Sequence, residues 1–287
     1  MHSRRSTSSR QRSSEALIAG ARDWDSFWKS LRGLRDGSQQ GDAFERLTQV
    51  FLQTQPEYRS KLRHVWRLAE VPDEISKRLD LPRVDEGIDL LAETHDGAFW
   101  AVQCKFRSDP TSTLTRKMLD TFTSLAFVAC TGISLAVVAH TSSRPIRKRH
   151  LMGDTVEIGW DRWLTLDEGR WALITAALHG RAAQPDPRLP RLHQQQAVTA
   201  ALRHYEERGG SRGKLIMPCG TGKSLTAFWI AEALDAHEIL VAVPSLALIR
   251  QSLEDWTREF IARDVWPEWL CVCGDESVTA VDPDIAP

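Results

Sequence analysis

The chain has 287 residues, 42% hydrophobic and 26% charged, and its 37 basic and 38 acidic side chains leave a formal net charge of -1. That length gives room for one large or two ordinary domains with true cores, and the charge balance excludes a histone-like polycation and an acidic tail protein, though not a nucleic-acid binder, which depends on patches rather than totals. No apolar run is long enough to span a membrane, and Cys104, Cys130, Cys219, Cys271 and Cys273 show neither metal-type CxxC spacing nor a disulfide framework, so a reduced, cytoplasmic setting without membrane contact is expected.

Residues 1–14 contain four Arg, six Ser and no acid, which predicts a disordered tail, with a transit peptide as the alternative. Residues 15–80 read as helical; Phe44, Leu47 and Phe51 share one face, and Gly41-Asp42-Ala43-Phe44-Glu45 opens a helix. Residues 87–106 switch to period two around His95-Asp96-Gly97, a hairpin signal. Residues 114–128 return to a helical pattern, 133–140 (ISLAVVAH) form a short buried strand, and 160–179 are helical around Trp163, Trp171 and Leu178. The tryptophans are assigned to packing. Pro185, Pro187 and Pro190 then mark a linker at 181–191 between a domain over 15–180 and a second over 192–287. The second reads strand, glycine-rich loop, helix, strand, helix: a βαβ order and so a parallel sheet.

In the second domain an apolar strand at Lys214–Met217 runs into Pro218-Cys219-Gly220-Thr221-Gly222-Lys223-Ser224, followed by a helix with an apolar face. Glycines let successive backbone N–H groups turn inward around phosphate oxygens, and the helix N-terminus adds its positive end. Lys223 reaches the β- and γ-phosphates and Ser224 ligates Mg²⁺, so ATP is the expected cofactor. Met217 stands where the strict pattern has Gly.

The hairpin carries a second constellation. With a three-residue loop and Gly97 in the left-handed region, Thr94 pairs with Ala98 and Asp89 faces Gln103. Alternation then puts Asp89, Gln103 and Lys105 on one face and Ile88, Leu90, Val102 and Cys104 on the other. An acid, a carbonyl-type ligand and a lysine together suit Mg²⁺- or Mn²⁺-dependent phosphodiester cleavage. Asp89, Gln103 and the Cys104 carbonyl would hold the metal, and Lys105 would orient water or answer developing charge. Glu45 either reaches the metal or caps a helix with Asp42. Arg144, Arg147, Lys148 and Arg149 either touch phosphate or form a solvated loop.

Arg191–Val198, the GTGKS loop and the strand ending in Pro244-Ser245 together resemble the adenine-reading glutamine motif, motif I and motif Ia of superfamily 2 helicases. The resemblance implies that Gln194 reads adenine and that Ser245 touches the nucleic-acid backbone. It also implies a RecA-like lobe with Trp269–Cys273 as its third strand. No DEAH-type acid run, SAT-type motif, second lobe or arginine finger follows. The chain is therefore read as a fragment of a longer translocase, or as unable to turn over ATP alone.

Residues 41–140, with Glu45, the GID strand and the QxK strand, resemble the Mrr-like branch of the PD-(D/E)xK nucleases, which implies a mixed sheet flanked by helices. The order nuclease, linker, glutamine motif, motif I is similar to the N-terminal part of single-polypeptide type ISP restriction enzymes, in which the rest of the motor, a methyltransferase and a target-recognition domain follow. The expected function is Mg²⁺-dependent cleavage of double-stranded DNA by an ATP-dependent restriction endonuclease. The alternative is a helicase-like repair or remodelling protein whose Mrr-like domain binds DNA without cutting it.

Overall fold

Five strands form one mixed sheet in chain order: β1 (Leu62–Arg67), β2 (Leu90–Thr94), β3 (Phe99–Lys105), β4 (Ile133–His140) and β5 (Thr155–Ile158). The computed structural model describes residues 2–82, 87–147, 150–151, 153–181 and 184–272. Strands β1, β2 and β3 are antiparallel neighbours, whereas β3–β4 and β4–β5 are parallel. A parallel pair needs a crossover, and α6 (Arg116–Ser124) with one wider turn at Leu125–Ala129 supplies it between β3 and β4.

Helices cover both faces. On one, Leu90, Trp100, Val102, Val137, Ala139 and Ile158 pack with residues of α2 (Trp24–Gly33), α3 (Gly37–Thr54), α7 (Trp160–Leu164) and α8 (Glu168–Leu178). Trp24, Trp28, Trp160 and Trp163 meet one another and Phe44 there at ring-centroid distances of 4.8–5.6 Å. Each such pair contributes about 0.5–1.5 kcal/mol beyond its buried area. On the other face, Leu91, Phe99, Ala101, Ala136 and Val138 pack with Leu119, Phe122 and Ala126. The buried Glu57 of α4 (Pro56–Arg59) joins Arg162 at 2.9 Å and Arg170 at 3.1 Å, tying α4 to α7 and α8.

Several expectations need correction. Residues 2–14 are not a tail: α1 runs His2–Ala19. Its later turns are held to α3 by the Arg46–Glu15 ion pair at 2.7 Å, and Ser14 and Ile18 are buried. The stretch 15–80 is not all helix, because β1 lies within it. Leu62, Val65 and Trp66 have helical spacing, but a register shift between Leu62 and His64 lets Leu62 and Val65 share the buried face of a strand. Strand β5 was not expected; its four residues are all buried and show no period. Helix α3 begins at Gly37, with the Asp36 carboxylate accepting from the Ser38 N–H at 2.9 Å. Asp42 and Glu45 thus lie inside the helix and form no capping box.

The chain divides into two compact units, one reaching Gln184 and including residues from Glu268, the other Pro185–Pro267. The second holds α9 (Leu192–Leu202), α10 (Lys223–Ala233) and α11 (Leu246–Ala262). Among its described residues there is no strand, so the expected parallel sheet is not formed. A strand exists only with a hydrogen-bonded neighbour; here Lys214–Met217 and 239–243 form no strand, with Ile216 85% and Leu240 95% exposed. Trp269, assigned to a third strand of that lobe, instead belongs to the first unit, where its indole N–H donates to Ser60 Oγ at 3.0 Å and Lys61 stacks over its ring. Cys273 lies outside the described residues. No described helix is long and apolar enough to cross a membrane.

Candidate nuclease centre and nucleotide loop

The β2–β3 ladder runs from Leu90 opposite Val102 to Glu93 opposite Phe99. Thr94 N–H donates to the Ala98 carbonyl at 3.0 Å and Gly97 has φ +87°, the register and turn the three-residue loop demands. At the open end of the hairpin the regular pattern breaks. Asp89 N–H donates at 2.9 Å to the Val102 carbonyl, although Val102 already faces Leu90. Asp89, just before β2, and Leu90 therefore both oppose Val102 of β3, which is a β-bulge.

A bulge reverses the alternation behind it, and this corrects the expected faces. Ile88 packs with the α6-side core, while Leu90, Val102 and Cys104 belong to the α3 side. Asp89 is re-aimed: its Oδ2 accepts from the Cys104 backbone N–H at 2.5 Å, taking the place that a continuing β2 backbone would fill. Burial first, then the Asp89 and Glu45 carboxylates, push the Cys104 thiol well above its usual range, while Thr48 and Arg67 act in the opposite sense. Glu45 is paired with Arg67 at 3.6 Å, and Arg67 also donates to the Asp42 carbonyl at 3.1 Å. Asp89, Glu45 and Cys104 thus gather on the α3 side of the end of β3.

Gln103 and Lys105 lie on the other side. Gln103 is buried and its Nε2 donates to the Gly87 carbonyl at 2.9 Å. Gly87 has φ +130°, and an added Cβ would stand 3.2 Å from that Nε2. The Gln103 Oε1 is buried and receives no hydrogen bond. Lys105 faces His140 of β4, and its ammonium meets no acceptor among the described residues. The sequence-derived set is therefore split across the edge of β3, which β2 leaves open beyond the bulge. Sequence reasoning missed Arg67 and Thr48, whose positions beside Cys104 depend on the pairing of β1 and the packing of α3. No three His, Cys, Asp or Glu side chains among the described residues surround a common point. Arg144 and Arg147 are exposed; Lys148 and Arg149 lie outside the described residues.

In the second unit, Gly220 and Gly222 have φ +77° and +80°, and α10 starts at Lys223. Lys223 Nζ bends back to the Met217 and Pro218 carbonyls at 3.4 and 3.1 Å. Thr221 Oγ1 donates to the Pro218 carbonyl at 2.7 Å, and Ser224 Oγ accepts from the Trp256 indole N–H at 3.1 Å. Gln194 is buried; its Oε1 accepts from Arg191 N–H at 2.8 Å and its Nε2 donates to the Thr221 carbonyl at 3.0 Å. A Cβ at Gly222 would meet that Nε2 at 2.6 Å. Gln194 is thus fastened to the loop whose sequence suggested its role. Ser245 caps α11.

Comparison with known proteins decides what these two sites belong to. Residues 53–155 match the family described as restriction endonuclease, and residues 188–269 match the family described as type III restriction enzyme, res subunit. The chain carries an Mrr-type restriction endonuclease domain followed by a helicase-like domain. Among solved structures, an ATP-dependent type ISP restriction-modification enzyme, LlaBIII, bound to DNA, superposes with a TM-score of 0.61 at 24% identity. The match covers 81% of this chain and 15% of that one, so the chain spans a small part of its relative's length. No curated protein matches the chain. The mixed sheet flanked by helices is thus the nuclease fold expected from the hairpin motif, and the helicase-like region follows it in the expected order. The bulged end of β3 lies within the endonuclease domain, and the glycine loop within the helicase-like domain.

Proposed function

We propose that the chain is the N-terminal part of an ATP-dependent restriction endonuclease, with a metal-dependent DNA-cutting domain joined to an ATP-binding motor domain. The observation that carries this reading is the open end of β3. There the end of β3 carries a re-aimed carboxylate on one side and, on the other, a buried amide oxygen without a donor and an ammonium that meets no acceptor among the described residues. Buried polar atoms ordinarily find partners, and both a carboxylate and an amide oxygen without a donor suit a hard cation.

Asp89, Gln103 Oε1 and the Cys104 carbonyl would hold Mg²⁺ or Mn²⁺, and Glu45, whose charge acts on Cys104, would contribute. The donors are all oxygens, which favours these metals over zinc. When bound, the cation supplies a more acidic water and neutralises charge on the phosphate. Lys105 would orient a water for attack or answer the charge growing on the phosphoryl oxygens. Arg67 fixes Glu45, and Gly87 fixes the Gln103 amide so that its oxygen faces inward. Double-stranded DNA is the substrate, in a cytoplasmic setting. Sequence choice would come from C-terminal motor, methyltransferase and target-recognition domains.

The glycine loop fits the phosphates of ATP. Two left-handed glycines open the loop, a helix N-terminus follows, and Lys223 needs only to leave two carbonyls to reach an anion. Gln194 would read adenine from its place against Thr221. The chain incubated with supercoiled plasmid and Mn²⁺ is expected to produce nicked circles, and EDTA to prevent them. Intact plasmid under both conditions would sink the nuclease reading.

A further inference from the structure

Gln103, Lys105 and Arg107 occupy alternate positions running off the end of β3, and Arg107 has no place in the reaction described above. It is half-buried, and its Nε is buried without an acceptor. Its Nη2 lies 2.9 Å from the Met118 thioether on α6. A thioether is a weak acceptor, whereas the planar fork of a guanidinium matches a carboxylate or phosphate. No carboxylate among the described residues pairs with Arg107.

The backbone beneath this cation is fixed. Arg107 N–H donates to Thr141 Oγ1 at 2.6 Å, and the same hydroxyl donates to the Arg107 carbonyl at 3.0 Å. Ser143 N–H reaches the Pro110 carbonyl at 2.7 Å, and Ser142 Oγ reaches the Ser112 carbonyl at 2.6 Å. The loops that leave β3 and β4 are thus laced together. They also carry Arg144, which is exposed. Arg144 and Arg32 lie near enough to Asp109 to help Thr111 hold its carboxyl below the usual range.

We infer that Arg107 is a phosphate-binding residue that grips the DNA backbone at a phosphate beside the one cut next to Lys105. The inference rests on the nuclease reading. Two cations that meet no carboxylate among the described residues, two residues apart at the end of a strand, fit a ligand that repeats its negative charge, as a nucleic-acid strand does. Such a contact positions the duplex and carries no sequence preference.

The test is binding of the full chain to two fluorescein-labelled duplexes of unrelated sequence, measured by anisotropy across a salt series. Ca²⁺ replaces Mg²⁺ to hold back cleavage. One lost phosphate contact lowers the slope of log K against log salt by about 0.9. Arg107→Gln and Arg107→Met are both expected to show that loss equally on the two duplexes, and Arg107→Lys to keep the wild-type slope. Melting curves identify any variant that fails to fold, in which case the other neutral variant carries the comparison. A wild-type slope in a folded neutral variant would overturn the phosphate site and leave the nuclease reading intact. A wild-type chain that binds duplex without nicking plasmid would overturn the nuclease reading, while the slope still decides the Arg107 contact. No duplex binding by the wild type would overturn both.

Discussion

Where Lys105 meets the charge growing on the phosphate, the size of its effect follows from that role. Its ammonium answers charge that appears only as the phosphate is attacked, so removing it should slow the chemical step while leaving the fold intact. Losing a comparable electrostatic donor costs on the order of 100-fold or more. Lys105→Ala is therefore expected to cut plasmid nicking by about that factor, with an unchanged melting temperature; a loss within a few-fold would remove Lys105 from the chemistry. At the nucleotide loop, Gly222 has φ +80°, which strains any L side chain, and a methyl group there would have to displace the Gln194 amide from Thr221. Gly222→Ala should abolish binding of a fluorescent ATP analogue to the chain, and retained binding would mean that the loop does not hold phosphate in this conformation. The residues of both sites were legible as types and spacings. The direction of the Asp89 carboxylate was not, because it depends on one extra residue just before β2 that no periodicity reports.

At the scale of elements, the hairpin was legible because its turn chemistry is local: a glycine in third place of the loop fixes the register, and the register fixes which strand residues meet. Strand β4 was legible as a continuous apolar run. Strand β1 was not, because its bulge gives a strand the apolar spacing of a helix, and β5 was too short to show any period. The two apolar segments around the glycine loop have the composition of strands yet form none, since sequence gives a strand's preference but not its partner. Ion pairing also joins elements in ways composition hides. Glu57 is fully buried between Arg162 and Arg170. Breaking a buried pair by removing one partner strands the remaining charge and costs about 3–5 kcal/mol. Glu57→Ala should lower the melting temperature by several degrees without touching the site; an unchanged melting curve would show that α4 is not held by this carboxylate.

At the scale of the whole molecule, the chain divides into two compact units between Gln184 and Pro185, and the first unit contains every residue of the proposed nuclease centre. A fragment ending at Gln184 is accordingly expected to melt cooperatively and to nick plasmid at the rate of the full chain, with no response to ATP. An unfolded or inactive fragment would mean that residues from Glu268 onward, which belong to the same unit, are needed to complete it. The return of Trp269 to that unit could not be read from sequence, because a stacking contact with Lys61 across the chain leaves no local pattern.

The central claim is that the bulged end of β3 cuts DNA, and Asp89 tests it most directly. Its carboxylate is the metal's one anionic ligand common to every version of the proposed centre, and the bulge exists to aim it. The measurement is nicking of supercoiled plasmid with Mn²⁺ by equal concentrations of wild type and Asp89→Ala, both shown folded by their melting curves. Nicked circles are expected from the wild type and intact plasmid from Asp89→Ala. Equal nicking by the two proteins would contradict the claim.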